Sequence, residues 1–188
     1  YVQQNPEHQI VTDKVWHELA FGLENMGVPT ETIRRRVAEM ACFFGIDDWF
    51  RKKTTELSGG QKQLLNLASV MAMQPRLLIL DEPTSQLDPI AASDFIGTLK
   101  KLHQELGLTI LLTEHRLEDV FPAADRVFVM DRGRLILAAK PTDAGRELKR
   151  LNRDHRMLLG LPSALRIYHG LDAEDADCPL TVRDGRRF

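Results

Sequence analysis

Leu77-Leu78-Ile79-Leu80-Asp81-Glu82 is a short apolar run that ends in two acidic residues. A continuous apolar run of this length, unlike an alternating one, is typical of a strand buried on both faces of a parallel sheet. Pro75 precedes the run and Pro83 follows it, and prolines commonly bound regular structure. The stretch therefore predicts a buried parallel strand with two carboxylates at its carboxyl end.

The segments after this strand alternate between helical and strand patterns. A helix is predicted from Pro89 to Leu106, ended by Gly107, and a second buried strand follows over 108–112. The further predicted elements are a short helix over 116–123, strands over 126–130 and 134–138 joined by a turn at Arg132-Gly133, and a helix over 141–159. Strand, helix, strand, helix, strand predicts an α/β layer with crossover connections.

The first third of the chain has a mostly helical pattern. Apolar residues recur at three- and four-residue spacing, which predicts helices over 13–27, 29–45 and 58–73, with Asp13 as the first cap. The predicted organisation is a loop region at 1–12, a helical subdomain at 13–74, an α/β core at 75–140 and a C-terminal helix with a linker or appendage at 141–188.

Composition excludes several classes of protein. A formal net charge of −2 without a basic stripe gives no reason to expect a nucleic-acid partner. No apolar run approaches the roughly 20 residues that span a bilayer. The two cysteines, Cys42 and Cys178, fit no metal-ligand or disulfide spacing, and the apolar neighbours of Cys42 predict that it is buried.

Ser58-Gly59-Gly60 stands where a helix is predicted to begin. Glycines let backbone N–H groups approach an anion closely, and the helix dipole adds positive potential at that end. Ser58 has two interpretations, a plain N-cap or a hydroxyl offered to a phosphate oxygen. The neighbouring Leu57 and Gln61 favour the second.

The acidic pair lies where open α/β sheets bind their ligands, at the carboxyl ends of strands. Asp81 there can hold Mg²⁺ directly or through water, and Glu82 can polarise an attacking water. The alternative is two acids that merely end a strand. His115 ends the next predicted strand and is expected at the same edge, although a single histidine is more often structural.

Taken in order, these segments resemble the ATP-binding cassette family. The motifs are Gln4-Asn5-Pro6 as the Q-loop, Leu57 to Gln61 as the signature, Leu77 to Glu82 as Walker B, Ser85 to Asp88 as the D-loop and His115 as the switch histidine. Their order and spacing carry the resemblance, which spans about residues 1–140. It implies a partial P-loop NTPase (RecA-like) parallel sheet with a helical signature subdomain.

The resemblance also implies ATP and Mg²⁺ as cofactors and a role for each motif residue. The implied catalytic residues are Glu82, His115 and Gln4, and the implied Mg²⁺ contacts are Asp81 and Gln4. The implied contacts to ATP, held by the opposite subunit's P-loop or linked across the dimer, are Ser58, Gly59, Gly60, Gln61, Ser85 and Asp88.

Within the family, Glu7-His8-Gln9-Ile10 after the Q-loop and the run Thr113 to Asp119 resemble energy-coupling-factor or cobalt-type importers. The tail segments 161–164 and 181–185 are similar to the connector of fused proteins with two cassettes. The implied partners are a second cassette, separate or fused, and an integral membrane subunit. The implied location is the cytoplasmic face of the cell membrane, and the implied activity is uptake of a small solute such as a vitamin or metal ion.

One family motif, G-x-x-x-x-G-K-[ST], occurs nowhere in the sequence, and in the family it would precede Tyr1. Since the P-loop supplies much of the charge stabilisation in phosphoryl transfer, we expect this chain alone to bind ATP weakly and not to hydrolyse it. Two alternatives remain. One is a chromosome-maintenance or DNA-repair ATPase, although the gap from Gln4 to Leu57 holds short helices and no long coiled coil. The other is an interaction or dimerisation module.

Overall fold

The computed structural model describes residues 1–151, 156–170 and 178–186. The chain folds as two compact units, Tyr1–Glu114 and His115–Phe188. The first unit contains helices α1 (Val15–Asn25), α2 (Thr30–Phe44), α3 (Gly59–Ala72) and α4 (Pro89–Leu106) and strands β1 (Leu77–Asp81) and β2 (Thr109–Thr113). Single 3₁₀ turns lie at Pro6–His8, Asp47–Trp49 and Thr54–Glu56. None of the described helices is both long and apolar enough to cross a bilayer.

Helix ends in this unit follow the local sequence closely. Ser58 caps α3 and Asp88 caps α4, each through its side-chain oxygen. Gly45 and Gly107 end α2 and α4 in the left-handed conformation, with φ of 63° and 62°, which glycine adopts without strain. These predicted boundaries hold to within a residue or two because caps are encoded by adjacent residues.

The start of α1 differs from the prediction. The cap position is Lys14, which makes no side-chain capping bond, so the prediction of Asp13 as the cap is wrong. Instead, the buried Glu18 carboxylate turns back and accepts hydrogen bonds from the N–H groups of Val11 (3.1 Å) and Thr12 (2.7 Å). Glu18, a residue inside α1, therefore supplies the acceptor for backbone N–H groups that precede the helix.

Strands β1 and β2 are parallel, as predicted, with Leu77 opposite Thr109 and Asp81 opposite Thr113. Val2 pairs with the other edge of β1: its N–H donates to the Ile79 carbonyl at 2.8 Å, and its carbonyl accepts from the Asp81 N–H at 3.1 Å. Residues at the start of the chain are thereby fixed beside the carboxyl end of β1.

The exposure of β1 alternates along the strand. Leu78 and Leu80 are fully buried, whereas Leu77 is 49% and Ile79 37% exposed. On β2, Leu111 is 47% exposed. Burial on both faces is therefore wrong for the part of the chain that the structure describes, because its elements cover one face of this sheet.

The second unit contains α5 (Leu117–Val120), β3 (Val127–Asp131), β4 (Arg134–Ala139), α6 (Pro141–Leu151), α7 (Ser163–Gly170) and α8 (Val182–Gly185). Strands β3 and β4 form an antiparallel hairpin. The turn at Arg132 and Gly133 has φ of 46° and 74°, the positive values that a tight two-residue hairpin turn requires. The turn predicted at Arg132-Gly133 between two strands is therefore confirmed.

The C-terminal helix is shorter than predicted. The helix expected over 141–159 ends at Leu151 where the structure describes it, and residues 156–158 form a 3₁₀ turn. The 161–188 segment, predicted as a linker or appendage, contains α7 and α8, and residues 171–177 and 187–188 of it lie outside the described residues.

An apolar core organises this second unit. Its buried members are Phe121, Ala139, Ala144, Leu148, Leu161, Leu165, Tyr168 and Cys178. The last four come from the segment predicted as linker, which is therefore packed structure at these positions. Spacing explains part of this: Leu165 and Tyr168 lie three residues apart on α7 and so share one face of that helix, while Leu161 precedes it.

The two cysteines differ in exposure. Cys42 is exposed, so the prediction that it is buried is wrong. The buried stripe of α2 runs through Val37, Ala41 and Phe44, and Cys42, one residue after Ala41, points about 100° away from it. Cys178 is buried, and burial raises the pKa of its thiol.

Candidate functional site

The acidic pair at the end of β1 is held by the end of β2. Because the two strands are parallel and in register, Thr113 stands opposite Asp81. The Thr113 hydroxyl donates to Asp81 Oδ1 at 2.7 Å. The Glu82 N–H is shared between the Thr113 carbonyl (3.1 Å) and hydroxyl oxygen (3.0 Å). One threonine thus orients both acids.

Gln4 reaches the same place from the other edge of β1. Its Nε2 donates to Glu82 Oε2 at 3.0 Å. The pairing of Val2 with β1 explains the approach, since it fixes the backbone two residues before Gln4. The structure therefore brings Gln4, Asp81 and Glu82 together at one end of the sheet.

The turn after β1 is tight and internally braced. Glu82 has a φ of 42°, a left-handed value that costs a non-glycine residue about 1–3 kcal/mol. The Ser85 N–H then donates to the Glu82 carbonyl at 3.1 Å. Thr84 is buried, and its N–H and hydroxyl both donate to Glu114 Oε1, at 3.0 and 2.5 Å. The strain at Glu82 persists because Thr113 and Glu114 fix the chain on both sides of it.

The polar atoms at this edge are mostly oxygens. The Tyr1 hydroxyl donates to Asp81 Oδ2 at 3.3 Å, and the pKa of its phenol is raised, first by desolvation and then by that carboxylate. Carboxylate and hydroxyl oxygens suit Mg²⁺, which usually keeps several waters. Within the described residues no group of three His, Cys, Asp or Glu side chains forms a closed metal site. The donors here fit a Mg²⁺ that completes its coordination with water and ligand oxygens.

The start of α3 is a capping box. The Gln61 N–H donates to Ser58 Oγ at 3.3 Å, and the Ser58 N–H donates to Gln61 Oε1 at 3.0 Å. In the structure Ser58 is therefore an N-cap, the first of its two interpretations. Because the Ser58 oxygen only accepts in this bond, its own proton remains able to donate to an anion. Ser58 and Gly59 are exposed, so an anion has access to them.

The starts of α3 and α4 lie side by side. Asp88 Oδ1 accepts from the N–H groups of Ile90 and Ala91, both at 3.0 Å. A Cβ added to Gly60 would stand 3.1 Å from the Ala91 Cβ, so a side chain there would crowd the neighbouring helix. Ser85, on the loop before α4, is exposed. The signature residue Gly60 is thus a neighbour of the first turn of α4, which directly follows the predicted D-loop.

His115 is exposed and is the first residue of the second unit, where it lines a cavity with Glu118, Leu161 and Arg166. Its predicted place at the edge of β1 and β2 stays a prediction.

Two residues important to this geometry, Thr113 and Glu114, were not among the predicted site residues. Thr113 is the last residue of β2, and Glu114 follows it, directly before His115. Their contacts with Asp81, Glu82 and Thr84 depend on the register between two strands about thirty residues apart, which local patterns do not encode. A polar residue at the end of a predicted parallel strand is the signal that points to them.

Replacing Thr113 by valine should lower the free energy of unfolding of this chain by about 0.5–1.5 kcal/mol, because it removes the hydroxyl bond to Asp81 at almost constant shape. Urea unfolding measures the change. Thr109→Val, at the exposed start of the same strand, is the matched control and should cost less, since valine also favours strands. Equal effects of both variants would contradict the assigned role.

Comparison with known proteins assigns the chain to a family. The ABC transporter family profile matches residues 1–85. The energy-coupling factor transporter ATP-binding protein EcfA1 of Caldanaerobacter subterraneus is 40% identical over 190 residues, which cover all of this chain and 67% of that protein. The chain belongs to the ATP-binding cassette transporter family. Members of this family are ATPases that couple ATP hydrolysis to transport.

Other cassette proteins are similar over nearly the whole chain. A putative ABC transporter ATP-binding protein of Bacillus anthracis is 46% identical over 185 residues, covering 98% of this chain and 33% of that protein. The fold is similar to that of cbiO1 from Clostridium perfringens, part of the ABC transporter complex cbiONQ, with a TM-score of 0.71, 37% identity, and coverage of 91% of this chain and 66% of that one. The chain thus spans about a third of the length of the Bacillus cassette protein.

Proposed function

We propose that this chain is part of the ATP-binding subunit of an importer of the energy-coupling factor type. Two similarities support the subfamily: the relative EcfA1 is named as an energy-coupling factor transporter protein, and cbiO1 is described as part of cbiONQ. The single observation that carries the catalytic role is the 3.0 Å bond from Gln4 Nε2 to Glu82 Oε2 at the carboxyl end of β1.

In this proposal Glu82 orients the hydrolytic water and accepts its proton, as a carboxylate within hydrogen-bond distance of water does. Gln4 fixes the position of the Glu82 carboxylate through the bond from its Nε2 to Oε2. Asp81, oriented by Thr113, would hold Mg²⁺ directly or through water. Bound Mg²⁺ supplies neutralisation of the phosphate charge. His115 contacts the γ-phosphate.

The start of α3 serves a different nucleotide in the proposed assembly. Ser58, Gly59, Gly60 and Gln61 face ATP held on the P-loop of a second cassette. Gly59 and Gly60 offer backbone N–H groups and Ser58 offers its hydroxyl proton, while Gln61 braces Ser58 through the capping box. Asp88 and Ser85 lie beside this helix start and link the two composite sites. The exposure of Ser58 and Gly59, with Gly60 packed on Ala91, supports this division.

The proposed partners are a second cassette, separate or fused, and an integral membrane subunit that receives the energy. The proposed location is peripheral, on the cytoplasmic face of the membrane, and the proposed cargo is a small solute such as a vitamin or metal ion. Because the P-loop motif is absent from these 188 residues, the chain on its own is proposed not to turn over ATP.

Reconstitution tests the function. The full-length cassette protein is co-purified with its membrane subunit and placed in vesicles. These vesicles should accumulate solute only when ATP is supplied. Vitamins and divalent cations are the probes to screen first. Failure to associate with any membrane component, together with salt-sensitive binding to DNA, would overturn the importer and favour the DNA-repair type of ATPase.

A further inference from the structure

Two buried amide side chains on α3, Gln63 and Asn66, hold the backbone of the segment that carries Gln4. Gln63 Nε2 donates to the Gln3 carbonyl at 3.2 Å, and Asn66 Nδ2 donates to the Pro6 carbonyl at 3.0 Å. Both residues have no exposed surface. They lie three positions apart, so they stack on one face of the helix that begins at the signature.

Neither amide is explained by packing alone. The side-chain carbonyl oxygens, Gln63 Oε1 and Asn66 Oδ1, are buried without a hydrogen-bond partner among the described residues. An unsatisfied buried polar group costs about 1–3 kcal/mol, whereas an apolar side chain of similar size would bear no such cost. The contribution of these residues therefore lies in the two donors that they place on Gln3 and Pro6.

The orientation of the amides follows from their partners. Backbone carbonyl oxygens only accept hydrogen bonds, so each NH₂ group must face the carbonyl and each amide oxygen must point away. The unpartnered oxygens are thus a consequence of the two contacts. A third, surface contact joins the same pieces: Lys62 Nζ lies 2.6 Å from Glu7 Oε1, and this ammonium lowers the pKa of the Glu7 carboxyl.

The held carbonyl is the one next to Gln4. The carbonyl that Gln63 binds belongs to the peptide joining Gln3 to Gln4, and on the other side Val2 is paired with β1. The backbone next to Gln4 is therefore held by β1 on one side and by α3 on the other, and this fixes the position from which the Gln4 side chain contacts Glu82. A shift of α3 must move the Gln3–Gln4 peptide unless these bonds break.

We propose that Gln63 and Asn66 are positioning residues that tie the signature helix to the Q-loop, so that the place of α3 sets the contact between Gln4 and Glu82. The inference rests on the proposed function for its catalytic consequence. Its structural consequence, a Q-loop backbone held by two amides, is independent of activity. When a second cassette binds the signature and moves α3, the two amides would therefore move the backbone that carries Gln4.

Hydrogen exchange tests the tether in the full-length cassette protein. Gln63→Met and Asn66→Leu remove the donors at nearly constant volume. Loss of one such bond should speed amide exchange in residues 3–10 by about two- to tenfold, while exchange in α1 stays unchanged. Gln104→Met, on the exposed surface of α4, is the matched control. Unchanged exchange in residues 3–10 would overturn the tether.

A double-mutant cycle tests the catalytic consequence. Gln63→Met should lower kcat about tenfold or more, since small misplacements of a catalytic group have effects of this order. In a Gln4→Ala background, the same change should lower kcat by less than twofold. The positioning role would be overturned if Gln63→Met left kcat unchanged. It would also be overturned if Gln63→Met lowered kcat by the same factor with Gln4 present and with Gln4→Ala. If wild-type turnover does not depend on Glu82, the proposed function fails, while the exchange result still decides the tether.

Discussion

Glu82→Gln in the full-length cassette protein should lower ATP turnover by about 10²- to 10⁴-fold, the range that a general base contributes. Glutamine keeps the size of the side chain and an oxygen that can accept the Gln4 bond, now 3.0 Å long. It removes the charge that accepts a proton from water. ATP binding should remain within a fewfold of wild type, so the loss should appear in kcat and not in KM.

The matched control is Glu105→Gln, an exposed glutamate on α4. It makes the same change of charge in the same unit, so it separates catalysis from net charge. Phosphate release under steady-state conditions gives kcat, and equilibrium binding of a fluorescent ATP analogue gives the affinity. Retention of more than a tenth of wild-type turnover by Glu82→Gln would show that another group accepts the proton.

Sequence patterns predicted the parts of the site that depend on adjacent residues. The Ser58 capping box and the Asp88 cap are set by residues two or three positions away, and α3 and α4 begin where helices were predicted. The apolar run before Asp81 likewise predicted a parallel strand whose acids lie at its carboxyl end. The caps depend on local interactions, and the place of the acids follows from the apolar run directly before them.

The contacts that orient the acids needed information from distant parts of the chain. Thr113 reaches Asp81 only because β1 and β2 pair in one particular register, and Gln63 reaches the Gln3 carbonyl only because α3 packs on the first residues. In the sequence alone, a buried glutamine or asparagine is only a polar interruption of an apolar helix pattern. Its partner is visible only in three dimensions.

Errors in the fold have the same origin. A continuous apolar run predicts burial on both faces, but what covers each face is a tertiary property. Cys42 has apolar neighbours in sequence, yet the direction of its side chain follows the stripe of α2. By contrast, the turn at Arg132 and Gly133 was predicted from adjacent residues, and the strands on either side of it pair as a hairpin.

The one-sided burial of β1 leads to a second large effect. Leu78→Ala should lower the free energy of unfolding of the first unit by about 2–5 kcal/mol, because Leu78 is fully buried and its removal leaves a cavity. Leu77→Ala, the adjacent leucine with 49% exposure, should cost about 1 kcal/mol or less, mostly through strand propensity. The two variants make the same substitution at neighbouring positions of one strand. The difference between their losses of unfolding free energy therefore measures the effect of burial.

Urea unfolding followed by tryptophan fluorescence measures this difference. Both tryptophans, Trp16 and Trp49, lie in the first unit, so the signal reports that unit and not the second. The slope m should be the same in both variants, since a change confined to stability moves only the midpoint. Equal losses at Leu77 and Leu78 would contradict one-sided burial. A loss at Leu77 that grows with protein concentration would show that a second copy covers the exposed face of β1 in solution.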